Sequence, residues 1–151
     1  MYLNEPLFPT PQQQGLMYLM LPAADPRITK TEIKVGWATD RRRQRQRAKA
    51  HRQISPGMDT VAIWPATREY EENFHRRNAH DAMPGKREWY FPALAIIQAI
   101  RHEIRTHDEA GTVTWLNGYT ERRSVARMQE LLVAADRVEY LMTQYRGTGT
   151  L

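Results

Sequence analysis

Short apolar runs separated by turn residues dominate the first half of the chain. Residues 16–21 form an unbroken apolar run between a glycine and a proline, which predicts a buried strand. Residues 31–38 alternate in polarity and contain β-branched side chains, which predicts a second strand paired with the first. Residues 59–64 predict a third strand, which a proline ends. The three segments together predict a small, mainly antiparallel sheet.

Helical patterns lie between and after these strands. Residues 41–53 contain no glycine, proline or acidic residue, and Asp40 precedes them as a capping residue. Two more helices are predicted over residues 67–80 and 92–106 from their capping residues and apolar periodicity. Residues 120–146 predict a long amphipathic helix, whose apolar positions have close to seven-residue spacing: Val125, Met128, Leu132, Ala135 and Met142.

The chain of 151 residues has the length of one domain with an appended helix. The predicted fold class is α/β (α+β): a small three-stranded, mainly antiparallel sheet flanked by helices, with a long C-terminal amphipathic helix. Residues 1–14 are rich in proline and glutamine and predict an N-terminal arm. Residues 15–110 then form the domain itself, and residues 111–151 form a C-terminal helical extension.

Net charge narrows the choice of partners. The chain carries 22 Lys and Arg against 17 Asp and Glu, a net charge of +5 with a pI near 9.7. Such an excess favours nucleic acid or an anionic membrane surface as a partner. Seven basic residues with no acidic residue among them lie in one predicted helix: Arg41, Arg42, Arg43, Arg45, Arg47, Lys49 and Arg52. Contact with phosphate backbones is the natural use of such a face, although most charge runs are solvated surfaces.

Several classes of protein are excluded by composition. The chain has no cysteine, which excludes a disulfide framework, a Cys-ligated zinc and a thiol nucleophile. Residues 1–6 contain no basic segment followed by an apolar run, so we expect no signal peptide. The longest apolar stretches are too short to span a bilayer. We expect a soluble cytoplasmic protein, in a bacterial or phage-infected cell, with no membrane partner.

Four short motifs follow one another between residues 15 and 91. They are Gly-Leu-Met-Tyr (15–18), Lys-Val-Gly (34–36), Glu-Glu-Asn-Phe-His (71–75) and Glu-Trp-Tyr (88–90). An arginine-bearing helix follows the second motif. In order and spacing this set resembles the catalytic domain of the GIY-YIG nuclease superfamily. Lys34 replaces the tyrosine of the second signature, as in a phage-rich branch that also carries Glu-x-x-apolar-His and Glu-Trp-Phe/Tyr motifs.

The resemblance implies a metal-dependent DNA endonuclease that hydrolyses phosphodiester bonds. Such chemistry needs a nucleophile, charge stabilisation at the phosphate and help for the leaving oxygen. A hard divalent cation on carboxylate oxygens serves the last two needs, and the resemblance implies Mg²⁺ or Mn²⁺ with Glu71 as its ligand. The implied partner is DNA, contacted by the basic helix through Arg41, Arg42, Arg45, Arg47, Lys49 and Arg52.

The remaining site residues take their roles from the same resemblance. Tyr18 would help to activate the attacking water, and Lys34 would hydrogen-bond that water or lower the pKa of Tyr18. Arg43 would clamp the scissile phosphate; distance from the second motif favours it among the arginines at positions 41–47. His75 would position substrate or water, because it lies one helical turn after Glu71.

Plainer roles and other function classes remain open at this stage. Glu71 fits a solvated helix position, Tyr18 and His75 fit packed positions, and Lys34 fits an exposed strand position. The chain contains no His-Glu-x-x-His pattern, Walker loop or Gly-x-Ser-x-Gly motif. One alternative is a DNA-binding module of the same fold without catalysis. Another is a phage structural or interaction protein that assembles through its C-terminal helix, for example as a homodimer.

Overall fold

A computed structural model of the chain describes residues 12–147, with side chains described up to residue 136. The strands are β1 (Gln14–Pro22), β2 (Ile33–Ala38), β3 (Met58–Thr67), β4 (Ala82–Met83), β5 (Lys86–Tyr90) and β6 (Thr114–Trp115). The helices are α1 (Arg41–Ile54), α2 (Arg68–Arg77), α3 (Leu94–Glu109) and α4 (Glu121–Gly147). The predicted mixture of helices and antiparallel strands is confirmed. Most of the predicted N-terminal arm lies outside the described residues, and its last residue begins β1.

Across residues 12–147 the sheet has six strands in the order β4-β5-β2-β1-β3-β6, and every neighbouring pair is antiparallel. The prediction of three strands is therefore wrong in number. The three predicted strands form the centre, with β1 between β2 and β3, while β4 and β5 extend one edge and β6 extends the other. β4 contains two residues, which is too short for an alternating pattern to be recognised in the sequence. The sequence of residues 112–119 allows a short strand, and within it Thr114 and Trp115 form β6 and pair with β3.

Helices cover both faces of this sheet. Alternate residues of β1 point to opposite faces, so Met17, Leu19 and Leu21 join the larger core with α2, α3 and α4. Tyr18 and Met20 point to the other face, which α1 covers. Only two residues of α1, Gln44 and Ala48, are buried against the sheet. The basic helix is thus attached through a narrow strip and exposes most of its surface.

The C-terminal helix contributes to the core of the domain. Its buried line is Ser124, Met128 and Leu131, which lies partly beside the predicted stripe: Val125, Leu132 and Ala135 are half-buried. Met142, also predicted in that stripe, lies outside the residues whose side chains are described. Met128 and Leu131 belong to the same hydrophobic core as β1 and α3, so this core extends across residue 110. Between residues 12 and 147, no helix combines the length and the apolar character that crossing a membrane requires.

Candidate active site

The ring of Tyr18 lies across Gly36. These residues of β1 and β2 face each other directly in the antiparallel register. A Cβ atom added to Gly36 would lie 2.3 Å from Tyr18 Cζ and 2.4 Å from its hydroxyl oxygen. Both distances are far below van der Waals contact, so only glycine at position 36 leaves room for the ring. This close approach links the first two motifs physically.

Gly36→Ala is therefore expected to destabilise the fold and to displace Tyr18. Overpacking of a close core contact costs about 1–3 kcal/mol in the free energy of unfolding, which chemical denaturation measures. A double-mutant cycle with Tyr18→Ala provides the control, because the alanine side chain meets no ring in that background. If the two destabilisations simply add, the close approach does not exist in solution.

The Tyr18 hydroxyl is a buried group with no hydrogen-bond partner among the described residues. Burial and the negative charge of Glu88 raise the pKa of Tyr18, and the nearby guanidinium of Arg47 opposes this rise only in part. Tyr18 is consequently a neutral phenol at neutral pH. The lowering of its pKa by Lys34 that the sequence suggested is not what the structure shows.

The buried Lys34 side chain forms an ion pair with the half-buried Glu88. The Lys34 side chain is 2% exposed, and its Nζ lies 2.5 Å from Glu88 Oε2. Lys34 is opposite Met20 in β1 and Trp89 in β5, so the position opposite Tyr18 belongs to the neighbouring glycine. Burial alone would raise the pKa of Glu88, but the charge and hydrogen bond of Lys34, together with the charges of His75 and Arg47, lower it. Glu88 therefore stays ionised, and its charge acts on the Tyr18 hydroxyl.

Glu71 and His75 form a second buried pair on α2. Thr67 caps this helix by accepting a hydrogen bond from the N–H of Tyr70. Glu71 is 1% exposed and His75 is 4% exposed, and Glu71 Oε1 lies 2.9 Å from His75 Nε2 without the geometry of a hydrogen bond. Both Glu71 oxygens and His75 Nε2 lack hydrogen-bond partners in the described part of the chain. A buried carboxylate is costly unless a cation or donors compensate it.

The nearest other cation compensates Glu71 poorly. Arg68 Nε lies 3.8 Å from Glu71 Oε2 but 3.1 Å from Glu72 Oε1, with which it forms a hydrogen bond. The other ring nitrogen of His75, Nδ1, shares a hydrogen bond with the hydroxyl of Tyr90, and the Tyr90 ring stacks on the imidazole. If Nδ1 carries the proton and donates it to Tyr90, Nε2 keeps a lone pair for a metal ion.

Glu71, His75 and Glu88 together fit a divalent cation. Each offers one ligand atom, and these atoms all lie within 4.8 Å of one another. Two carboxylate oxygens suit Mg²⁺ and Mn²⁺, and the imidazole nitrogen adds a preference for a transition metal. Sequence reasoning placed Glu88 in a motif but assigned it no role. The signal was a glutamate beside two aromatic residues of a short strand, although only the pairing of β5 with β2 brings it to Glu71.

The arginine beside Tyr18 is Arg47. Its Nη1 donates a hydrogen bond of 2.9 Å to the backbone oxygen of Trp37, and its charge acts on the Tyr18 hydroxyl. Arg43, the arginine favoured from the sequence, is exposed one turn earlier, and its backbone N–H binds the capping Asp40. The structure thus brings Lys34 to Glu88, and Glu88 to Glu71 and His75. Arg47 rather than Arg43 lies beside Tyr18.

The other predicted DNA-binding residues form an uncompensated basic surface. Arg42, Arg45, Lys49 and Arg52 are exposed, and Arg41 is half-buried. Among the described side chains, no carboxylate lies within 4.0 Å of any basic residue of α1. Charge that the protein leaves unpaired over fourteen helical residues attracts polyanions.

Comparison with models of known protein families, with curated proteins and with solved structures gave no match.

Proposed function

We propose that the protein is a metal-dependent DNA endonuclease with a GIY-YIG-type active site. The observation that carries this proposal is the cluster of Glu71, His75 and Glu88, whose ligand atoms lie within 4.8 Å of one another and come from segments far apart in the sequence. Glu71 and His75 keep buried polar atoms without partners among the described residues, and the charges of Glu71 and Glu88 act on the buried Tyr18 hydroxyl. Proteins rarely bury such groups unpaired, and they do so mainly where a ligand or reaction uses them. The four sequence motifs meet at this one position, which supports the resemblance to this nuclease superfamily.

The residues divide the work of phosphodiester hydrolysis among themselves. A divalent cation held by Glu71, with His75 and Glu88 within reach, would stabilise charge at the phosphate and on the leaving oxygen. The protonated Tyr18 hydroxyl orients the attacking water by hydrogen bonding, since its raised pKa disfavours a phenolate. Arg47 offers paired donors to the scissile phosphate from the side of α1. Lys34 holds Glu88 ionised and in place.

The proposed substrate is DNA because α1 provides a surface of unpaired cations beside this cluster. The proposed cation is Mg²⁺ or Mn²⁺, and the imidazole of His75 favours faster cleavage with Mn²⁺. The alternative of assembly through the C-terminal helix has less support, since Met128 and Leu131 of that helix pack inside the domain. Solution mass at several ionic strengths tests for a homodimer.

Incubation with supercoiled plasmid tests the proposed activity. We expect nicked or linear product with Mg²⁺ or Mn²⁺ and none with EDTA. Plasmid that is bound but never cut with either metal would favour the alternative of a DNA-binding module without catalysis. Plasmid that is neither bound nor cut would contradict both and favour an assembly role.

The position of Arg47 leads to a second prediction, in which Arg43 serves as the control. Arg47→Gln is expected to slow single-turnover cleavage by about 10²-fold, because the variant loses a principal charge stabiliser at the phosphate. Arg43→Gln removes the same charge from the same helix one turn away, and we expect less than about a tenfold effect. A larger effect at Arg43 would show that the DNA-bound protein uses the arginine that the sequence favoured.

A further inference from the structure

The basic helix α1 has two sides that serve different surroundings. Arg45 and Arg47 are two residues apart, so their side chains leave the helix about 200° apart. Arg47 points toward Trp37 and Tyr18 at the candidate active site. Arg45 shares the opposite side with Arg41 and Arg52. The helix therefore separates the active site from a second basic surface.

This second surface is a shallow depression of about 240 Å³ between α1, β3 and the turn after β6. Arg41, Arg45 and Arg52 line one wall, and Thr60 and Asn117 line the other. We call it the α1 groove. It contains three guanidinium groups and no carboxylate, and partial burial together with the charge of Arg45 lowers the pKa of Arg41. An anion in the groove would relieve this repulsion.

Hydrogen bonds hold the base of the groove and part of its walls in place. Gln44 is fully buried at its base, where it accepts a hydrogen bond from Arg41 and donates one of 3.3 Å to the Thr60 hydroxyl. Asn117 Nδ2 donates a hydrogen bond of 2.7 Å to the backbone oxygen of Thr60. Asn117 has a positive φ of 55°, which few residue types adopt easily. The backbone of the groove and its Arg41, Gln44 and Asn117 side chains are thus preformed, while the exposed Arg45 and Arg52 complete its rim.

We propose that the α1 groove binds backbone phosphates of duplex DNA that are distinct from the scissile phosphate. This inference rests on the proposed function for its substrate. Arg41 and Arg52 are eleven residues apart, so the row of guanidinium groups spans about 16 Å along the helix. That length exceeds a single phosphate and matches several phosphates of one strand. No aromatic side chain lines the groove, so it offers no stacking platform for single-stranded bases.

The thickness of the helix sets the distance between the two phosphate sites. An α-helix with side chains is about 10–12 Å across, and successive phosphates of one DNA strand rise about 3.4 Å along the duplex axis. A phosphate in the groove and a phosphate at Arg47 are therefore farther apart than one such step, so they are different phosphates of the duplex. A nuclease with this second contact holds DNA in one direction relative to its active site.

Binding in EDTA tests the groove without any requirement for cleavage. Fluorescence anisotropy with a labelled 20-base-pair duplex over a series of salt concentrations gives the affinity and its salt slope. Arg45→Gln/Arg52→Gln should weaken binding at least tenfold and lower the slope by about two, one for each lost contact. Arg76→Gln/Arg122→Gln removes the same charge from exposed positions on α2 and α4 and should lower the slope by less than half as much. Equal changes in both double variants would overturn the proposal.

Two further ligands distinguish backbone phosphates from other anions. Inorganic phosphate should compete no better than chloride at equal ionic strength, because one small anion cannot contact the whole row. The single strand of the duplex should bind more weakly, because its charge density is lower. Competition by millimolar phosphate that depends on Arg45, or tighter binding of the single strand, would overturn the proposal.

The outcome is separable from that of the proposed function. Suppose that the natural chain does not cut plasmid while Arg45→Gln/Arg52→Gln still lowers the salt slope of binding. That result would support the groove and contradict only the endonuclease activity. Plasmid cleavage combined with equal slopes in both double variants would support the endonuclease and contradict only the groove.

Discussion

Replacing Glu71 by glutamine is expected to slow plasmid cleavage by on the order of 10²-fold or more. The substitution keeps the size and helix propensity of the side chain but removes its charge, on which cation binding depends. Glu71 is buried next to His75. The adjacent carboxylate of Glu72 is paired with Arg68, so Glu72 does not replace the lost charge. The affinity for Mn²⁺, measured by titration calorimetry, should fall in parallel.

DNA binding should persist in Glu71→Gln or become tighter, since the variant loses a negative charge near the phosphate. Glu72→Gln is the matched control, because Glu72 points about 100° away on the same helix and is already paired with Arg68 near the surface. We expect that control to cut within about a factor of three of the natural chain. Equal cleavage by both variants and the natural chain would show that Glu71 is not a metal ligand.

Tyr18→Phe is expected to separate catalysis from stability. The Tyr18 hydroxyl has no hydrogen-bond partner among the described residues, so its removal breaks no contact that stabilises the fold. Burying an unpaired hydroxyl costs about 1–3 kcal/mol, and the phenylalanine variant should be as stable as the natural chain or more stable. Cleavage should nevertheless fall by about 10²-fold, because the attacking water loses the group that orients it.

Tyr70→Phe provides the opposite control. The Tyr70 hydroxyl donates a hydrogen bond of 2.8 Å to Glu103 Oε2, which links α2 to α3. Its loss should lower the free energy of unfolding by about 1 kcal/mol while plasmid cleavage stays near normal. Thermal denaturation and single-turnover cleavage of both variants give the full comparison. A destabilised Tyr18→Phe protein with unchanged cleavage would assign Tyr18 to packing alone.

The sequence by itself determined the elements that local patterns encode. Apolar runs and turn residues predicted β1 to β3, and α1 begins at Arg41, where the capping Asp40 placed its start. Chain order and motif spacing also selected Tyr18, Lys34, Glu71 and His75, each of which the structure connects to Glu88 by an ion pair, a shared cluster or its charge. Local patterns sufficed because strand and helix periodicities depend on neighbours only a few residues apart.

Only the tertiary structure decided the features that depend on distant contacts. β5 and β6 pair with the edges of β2 and β3, and β4 pairs in turn with β5, so β5 and β6 depend on backbone partners that lie far away in the sequence. Strand pairing places Glu88 beside Lys34, and the docking of α1 on Gln44 and Ala48 turns Arg47 toward Tyr18 and Arg45 away. A basic helix offers several equivalent arginines in sequence. Packing distinguishes among them because burial of one narrow strip sets the rotation of the whole helix.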